Sequence, residues 1–597
     1  MRGENSLEKK LLTGDEAVAR GVYEAGGKFA SAYPGTPSTE ILENLINYKE
    51  VYAEWAPNEK VALEAAIGAC WGGVRSIASM KHVGLNVAAD PLFTFAYTGV
   101  NAGMIIVTAD EPGQFSSQNE QDNRYYALSA KIPMVEPSDS QEAIDMVKTA
   151  YKVSEDFDTP VLMRMTTRVC HSKSLVEFQD RVEVPDKEYE KNPAKFLMVP
   201  AHAIKRRVIL EDRMSKLKEY TETTPLNFIE KGGKIGVVVS GGAYQYAKEV
   251  FGDSASYLKL GFTNPLPDKL LKEFYSLVDK VYVIEEDDPY LEMWIKANGF
   301  AVHGKDTFPA FGEMTPDVIR KSLGYETAEI APTSQKVVPR PPTLCAGCPH
   351  RGLFYDLGKR KDIVVTGDIG CYTLGFAPPY NAIDTSVVMG GAYSNGHGLQ
   401  KAFDLSEQNK RVIGINGDST FFHTGINSLI EVIYNGSNVI SIIADNRITG
   451  MTGQQENPGT GKVAKGTLAP VLDIKEIVQA LGFKNVVKVN PNDLTAVKKA
   501  FDDALAKDEP SVIITEWPCA LKKLDQDEFE EYGQPFTTKY VVAKEVCIGC
   551  KMCIKCGCPA ISMNQVENKS EINQYQCVGC SVCAQICPVS AIKKVEA

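Results

Sequence analysis

The chain has 597 residues, 44% of them hydrophobic and 23% charged, with a formal net charge of −12. So long a chain exceeds a single hydrophobic core, and several domains of about 150 residues are expected. An acidic balance with no basic block argues against nucleic acid as a partner, and apolar runs such as "VNAGMIIVTA" and "NVISIIA" are too short for a membrane-spanning helix.

The opening "MRGENSLEKKLLTGDEA" lacks the apolar core of a secretory signal, so a reducing, cytoplasmic setting is expected for the 15 cysteines. Residues 1–195 alternate strand-like runs ("GMIIVTA", "PVLMRM") with helical ones, the signature of an α/β domain with a parallel sheet. Within it, "NEKVALEAAIGACWGG" presents Glu64 on a helix followed by small residues. Cys70 and Cys170 read as core or site-lining thiols. The short basic run "IKRR" at 204–207 reads as a solvated helix face.

Residues 196–330 hold a second, smaller α/β unit, with "GKIGVVVSGGAYQYA" as a buried strand, glycine turn and helix, then "KVYVIEED". Proline-rich "APTSQKVVPRPP" reads as a linker over 331–342. Residues 343–525 carry four apolar strands, "IVVTGDIG", "RVIGINGD", "VISIIADN" and "SVIITEWP", each ending in glycine or a polar residue. They predict a third α/β domain. "GINGDST" and "IIADNRITGMTGQQ" each follow a buried strand, so Asp418 and Asn446 are expected side by side at the carboxyl edge of the sheet, where ligands of such sheets sit. An Asp carboxylate, an Asn carbonyl and a main-chain carbonyl suit a hard cation that also holds phosphate oxygens.

In the tail, residues 526–597, Cys577, Cys580, Cys583 and Cys587 with Pro588 follow the C-x2-C-x2-C-x3-C-P spacing of bacterial ferredoxins. In that spacing the fourth thiolate crosses to the other cluster. One 4Fe-4S cluster would take Cys547, Cys550, Cys553 and Cys587, and the second would take Cys577, Cys580, Cys583 and Cys558. The first run departs from the rule, since Cys556 is an extra thiol and Cys558 is chosen because Pro559 follows it. Zinc is the competing reading of C-x-x-C pairs. A tail this short would also lean on its clusters to fold.

The G-D-S…D-N pattern resembles the thiamine diphosphate enzymes. That resemblance implies Mg²⁺ held by Asp418, Asn446 and the backbone oxygen of Ile448, with Gly417 and Ser419 beside the diphosphate. Ser419 stands where the pattern has a third glycine and Arg447 where it has a second asparagine. It also gives Glu64 a role, because a carboxylate at N1′ of the aminopyrimidine favours the tautomer that deprotonates the thiazolium C2.

Taken with the tail, "YPGTPSTE", "ALEAAIGA", "SSQNEQDNRYYA", "LCAGCPHRG", "GDIGCYTLG", "NGDSTFFHTG" and "DNRITGMTGQQ" make essentially the whole chain similar to the 2-oxoacid:ferredoxin oxidoreductases. Within that family the resemblance is to large (alpha) subunits of the indolepyruvate branch. It implies two thiamine-diphosphate-binding parallel-sheet domains, a pyrimidine-binding one at 1–195 and a diphosphate-binding one at 343–525. Between them lies a transketolase C-terminal-like α/β domain, and at the end a ferredoxin-like α+β domain.

The same resemblance places Thr36 and Arg124 beside the substrate carboxylate, and Cys345, Cys348, Cys371 and Cys519 around a third cluster. It implies oxidative decarboxylation of an aryl 2-oxo acid with coenzyme A as acyl acceptor and ferredoxin as electron acceptor. A smaller beta subunit would complete a hetero-oligomer. Other 2-oxo acids (pyruvate, branched-chain), a non-oxidative thiamine decarboxylase and a non-catalytic electron-transfer subunit remain as alternatives.

Overall fold

The computed structural model describes residues 9–327, 338, 340–532 and 538–595. The expected linker at 331–342 lies outside the described residues except for 338 and 340–342, as do the last residues of the segment expected to end at 330. The chain forms two compact units that divide within that stretch. Among the described residues, no helix is long and apolar enough to cross a membrane.

The first unit is built on a seven-stranded sheet in the order Phe262–Asn264, Met134–Val135, Val161–Thr166, Met104–Asp110, Ser76–Lys81, Phe29–Ala32, Tyr52–Trp55. Every neighbouring pair is parallel except the first. Met104–Asp110 is buried along its whole length, as a strand covered by helices on both faces must be. Alternate residues feed two cores: Ile105, Val107 and Ala109 pack with helix Gly14–Glu24 and helix Ser140–Phe157, while Met104 and Ile106 pack with helix Glu59–Trp71 and helix Ala89–Thr98. Helix Gly14–Glu24 can lie this close because a Cβ on Gly21 would stand 2.9 Å from Cβ of Val147.

A second sheet of the same unit has four strands, in the order Lys280–Ile284, Ile235–Ser240, Ala255–Leu260, Asn227–Glu230. The first three are parallel and the last is antiparallel. Strand Phe262–Asn264 leaves this lobe to extend the larger sheet, a crossing that no local pattern in the sequence announces. Helix Pro200–Thr221 is lashed to the larger lobe by Arg206 and Arg213, which donate to the carbonyls of Thr98 (3.0 Å) and Ala96 (2.7 Å) and pair with Asp158. The basic run at 204–207 therefore departs from the expected solvated face at one position, since Arg206 is turned inward while Lys205 and Arg207 stay exposed.

The second unit has a five-stranded, wholly parallel sheet in the order Ile363–Thr366, Arg411–Gly417, Ile440–Asp445, Ser511–Glu516, Asn485–Val489. Its tail adds two antiparallel ribbons, Tyr540–Val542 with Ile592–Lys594 and Ile561–Asn564 with Lys569–Ile572, and the short helices Gln526–Tyr532, Met552–Cys556 and Val582–Ile586. Only a handful of apolar side chains, among them Tyr540, Ile561, Val582, Ile586 and Ile592, make up the tail's core, and they are interleaved with cysteines. So thin a core needs a second source of cohesion.

Candidate cofactor and iron-sulfur sites

In the second unit, strands Arg411–Gly417 and Ile440–Asp445 are parallel neighbours with Gly417 opposite Ala444, so Asp418 and Asn446 emerge together at the carboxyl edge. Asp418, Asn446 and Ile448 are all buried. The carboxylate of Asp418 accepts a hydrogen bond from Nδ2 of Asn457 at 2.8 Å. Arg447 takes a left-handed conformation (φ 59°), and this sharp turn brings the Ile448 amide to 3.3 Å from Oδ1 of Asn446. The hydroxyl of Thr449 donates to that of Ser419 at 3.0 Å, tying the two strand-end loops to each other.

Burial raises the Asp418 carboxyl. Burial and the nearby Asp418 push Asp445 up to about 8, with Arg447 opposing. Two buried carboxylates facing a single guanidinium make an anionic pocket, and its oxygen donors fit a hard cation. Mg²⁺ would sit on Asp418, Asn446 and the Ile448 carbonyl, with Gly417 and Ser419 beside it.

Two residues of this edge escaped the sequence reading. Asn457 orients Asp418. Asp368 follows strand Ile363–Thr366 and accepts from the amides of Ile369 (2.7 Å), Gly390 (2.8 Å) and Ala392 (3.1 Å). Its carboxyl is raised to about 6, chiefly by burial, against those hydrogen bonds. The G-D-I-G strand end was the available signal for Asp368. Asn457 carried none, because its partner lies in a separate loop.

Cys345, Cys348, Cys371 and Cys519 converge beside this pocket. Burial raises the thiols of Cys348 and Cys519, and that of Cys371 to about 12. Each also feels its neighbours: Cys348 feels Cys371 and Cys519, Cys371 feels Cys519 and Cys345, and both Cys371 and Cys519 feel Asp418. The amide of Cys519 donates to the carbonyl of Asn446 at 2.9 Å. A Cβ added to Gly450 would stand 3.4 Å from Nδ2 of Asn446 and 3.7 Å from Sγ of Cys371. The four-thiol site and the strand-end pocket thus share a wall, and the all-thiol donor set suits an iron-sulfur centre.

In the tail, one cavity is lined by Cys547, Cys550, Cys553 and Cys587. A second is lined by Cys558, Cys577, Cys580 and Cys583, with Cys556 beside them. The thiols that share the first cavity come from both runs, as the crossed pairing requires. Cys556 is 1% exposed, and its carbonyl accepts from the Tyr380 hydroxyl at 2.6 Å and from Arg351 at 3.2 Å. The amide of Ala591 donates to Sγ of Cys587 at 3.2 Å, and Oγ of Ser570 lies 3.1 Å from Sγ of Cys553. Such contacts help to set the potential of a cluster held there. The first cavity offers four thiols and the second five, in C-P-terminated runs, which fits a cubane better than a zinc ion.

In the first unit, Glu64 lies on the exposed face of helix Glu59–Trp71, which is capped by Asn58 accepting from the Val61 amide at 2.9 Å. It pairs with Lys60 one turn earlier, and Gly68 one turn later opens onto free space. Thr36 is half-buried in the loop after strand Phe29–Ala32. That loop is held by Gly35 donating to Oγ1 of Thr39 and by Ser38 donating to the Gly35 carbonyl, both at 3.0 Å. Lys81, 3.8 Å from Glu111, packs against Gly35, and burial lowers its ammonium. The sequence reading did not single it out.

Arg124 lies in the interior of the first unit. It is 1% exposed, and its guanidinium donates to Asp122, to Glu285 at 2.7 Å and to the carbonyls of Glu286 and Asp288 at 3.0 Å. A group so engaged braces the two lobes of this unit. Cys70 is buried in the core with its thiol donating to the Ala102 carbonyl at 3.0 Å.

Comparison with known proteins gives three family matches. Residues 20–226 match "Pyruvate flavodoxin/ferredoxin oxidoreductase, thiamine diP-bdg". Residues 368–515 match "Thiamine pyrophosphate enzyme, C-terminal TPP binding domain", and residues 570–593 match "4Fe-4S binding domain". The chain is 38% identical to the indolepyruvate oxidoreductase subunit IorA of Pyrococcus horikoshii, over 99% of this chain and 97% of that protein. It is 41% identical to the IorA subunit of Methanothermobacter thermautotrophicus, over 98% of this chain and 97% of that protein. The 2-oxoglutarate synthase subunit KorA of Methanothermobacter marburgensis is 28% identical over 31% of this chain and 52% of its own length.

Proposed function

The chain belongs to the family of indolepyruvate oxidoreductase IorA subunits, and on that footing we propose that it oxidatively decarboxylates aryl 2-oxo acids, indolepyruvate first among them. It is a thiamine diphosphate-dependent iron-sulfur oxidoreductase of the 2-oxoacid:ferredoxin type. In the proposed reaction, a 2-oxo acid and coenzyme A give an acyl-CoA, CO₂, one proton and two electrons, and each electron reduces one ferredoxin. Thiamine diphosphate, when bound, supplies the nucleophilic carbon and the electron sink for decarboxylation.

The chain's own residues have separate tasks in this reading. Asp418, Asn446 and the Ile448 carbonyl hold Mg²⁺, and Asn457 keeps the Asp418 carboxylate aimed. Glu64 holds the proton at N1′ of the aminopyrimidine. Thr36 offers its hydroxyl to the substrate. Cys345, Cys348, Cys371 and Cys519 hold a first cluster, and eight of the nine tail thiols, all but Cys556, hold two more. A smaller beta subunit, ferredoxin and a cytoplasmic setting follow from the same reading, the last supported by a chain rich in unpaired cysteines.

The observation that carries it is the wall shared by the four-thiol site and the Asp418–Asn446 pocket. An oxidation in single-electron steps needs an acceptor next to the cofactor, whereas a non-oxidative decarboxylase does not. The test is anaerobic iron and thiamine analysis with viologen reduction on indolepyruvate, phenylpyruvate and pyruvate. About twelve irons per chain, bound thiamine diphosphate and coenzyme A-dependent reduction fastest on indolepyruvate are expected. Aldehyde release without viologen reduction would overturn it.

A further inference from the structure

One cluster of metal-binding side chains lies apart from every site above. Asp15 in helix Gly14–Glu24, Glu40 in helix Thr39–Leu45 and His171 at the end of helix Thr167–His171 bring one ligand atom each to within 4.8 Å of one another. Asp15 is fully buried, and neither of its carboxylate oxygens has a hydrogen-bond partner. Oε2 of Glu40, also shielded from solvent, has none either, and it stands 3.8 Å from Nε2 of His171. The fully buried thiol of Cys170 is the neighbouring group beside Asp15.

Three buried carboxylate oxygens short of hydrogen bonds carry a free-energy cost, offset here only by the Cys170 thiol beside Asp15 and the His171 imidazole beside Glu40. A single proton shared between the carboxylates satisfies two of them at most. A cation satisfies all three, and Glu16 and Glu43 add to the negative potential around Asp15. Ligand atoms about 2.1 Å from a tetrahedral ion lie about 3.4 Å apart, so an ion would draw the three atoms in from the 4.8 Å within which they stand. The half-exposed Glu40 and His171 side chains give an ion a way in. One imidazole and two carboxylates form a mixed donor set, neither the all-oxygen set of Mg²⁺ nor the all-thiol set of a cubane.

We propose that Asp15, Glu40 and His171 bind one divalent transition-metal ion, Zn²⁺ by donor type. The ion would fasten the loop 33–40, which carries Thr36, to the helices Gly14–Glu24 and Thr167–His171. Its role is to hold that loop in place. The inference does not depend on which 2-oxo acid the enzyme uses.

The test takes the anaerobically purified holoenzyme, saturated with Mg²⁺ and thiamine diphosphate so that the diphosphate pocket is filled. Zn²⁺ is titrated in calorimetrically and then counted by elemental analysis after gel filtration, alongside iron. One Zn²⁺ per chain is expected, with Asp15→Asn and His171→Gln each weakening it at least about tenfold while iron stays constant. Should Asp15→Asn lose iron and so report misfolding, the partly exposed His171→Gln carries the test alone. No zinc uptake, or uptake equal in the wild type and His171→Gln, would overturn the proposal, since the ion would then sit on spare thiols elsewhere.

Discussion

Arg351 and Cys556 are joined by a hydrogen bond from Nη1 of the guanidinium to the Cys556 carbonyl at 3.2 Å, while Nε of the same group donates to the Cys345 carbonyl at 2.9 Å. One side chain therefore links the loop of the Cys345–Cys348 pair to the wall of a tail cavity. It is 1% exposed, and its other partners are the Leu344 carbonyl and the Tyr380 hydroxyl. Among the described residues it forms no ion pair with a carboxylate. Its charge instead acts on thiols, lowering those of Cys348, Cys556 and Cys580 against the rise from burial.

Arg351→Met should therefore do two things. It leaves the Leu344 carbonyl without its donor and removes one of the donors to the Cys345 and Cys556 carbonyls, at a cost of about 1–3 kcal/mol, seen as a lower urea midpoint under anaerobic conditions. It also removes a positive charge from between the thiol sites, so cluster midpoint potentials in an EPR-monitored titration should move downward. Arg351→Lys should keep the potentials nearer to wild type while losing much of the stability, because an ammonium retains the charge but cannot span several carbonyls. Unchanged potentials in Arg351→Met would leave this arginine a purely structural role.

Asp418→Ala should abolish turnover and weaken thiamine diphosphate binding by at least about a hundredfold, with iron content unchanged. The pocket has its carboxylate and amide oxygens on two strand ends, and losing the only ionised ligand that faces the ion removes most of its affinity. Equilibrium dialysis with Mg²⁺ and thiamine diphosphate measures it. Joint loss of iron would point instead to collapse of the strand edge.

Glu64→Gln should lower kcat by about 10²–10⁴-fold with bound thiamine diphosphate retained. Glu64 is exposed and its ion pair with Lys60 lies on a helix surface, so folding has little to lose. A variant with full activity would remove this residue from the catalytic reading.

Cys519→Ser should lose about four irons of about twelve and with them the wall shared with Asn446. In the tail, Cys558→Ser should lose about four, whereas Cys556→Ser should keep all of its iron. Iron counts and EPR spectra of the three variants distinguish the ligands from the spare thiol. Loss of iron in Cys556→Ser with retention in Cys558→Ser would reverse the assignment.

The acid cluster around Arg164 predicts a pH effect. Arg164 donates to Asp110 (2.6 Å), Glu136 (2.8 Å) and Asp287 (2.6 Å) in the interior of the first unit. Burial, opposed by Arg164, holds Asp110 up at about 6. With the folded value above the unfolded one, this group's contribution is complete below the unfolded pKa of about 4 and disappears as pH rises through about 6. Asp287 is raised as well, with the same sign. The first unit should therefore lose on the order of 1–3 kcal/mol between pH 5 and pH 7, read by anaerobic urea unfolding, and Asp110→Asn should flatten the slope. A slope unchanged in that variant would place its origin elsewhere.

Much of this molecule is written locally. The buried strands Met104–Asp110, Arg411–Gly417 and Ile440–Asp445 announce themselves as apolar runs ending in polar turns. The tail thiols announce themselves by spacing, because a cubane needs several ligands from one tight loop. Asp418 and Asn446 were legible because parallel neighbouring strands carry their end residues to a common edge.

What the chain could not say alone was which distant groups meet. The partners of the Arg124 guanidinium, Glu285 and the carbonyls of Glu286 and Asp288, lie far along the chain. Asn457 reaches Asp418, Arg351 reaches Cys556, and Asp15 meets Glu40 and His171 only once the elements of each unit have packed. Local sequence fixes backbone geometry and ligand spacing because these depend on neighbouring residues. Partnerships between polar side chains depend on the packing of whole elements, and burial then forces each such group to find its partner wherever the fold has brought one.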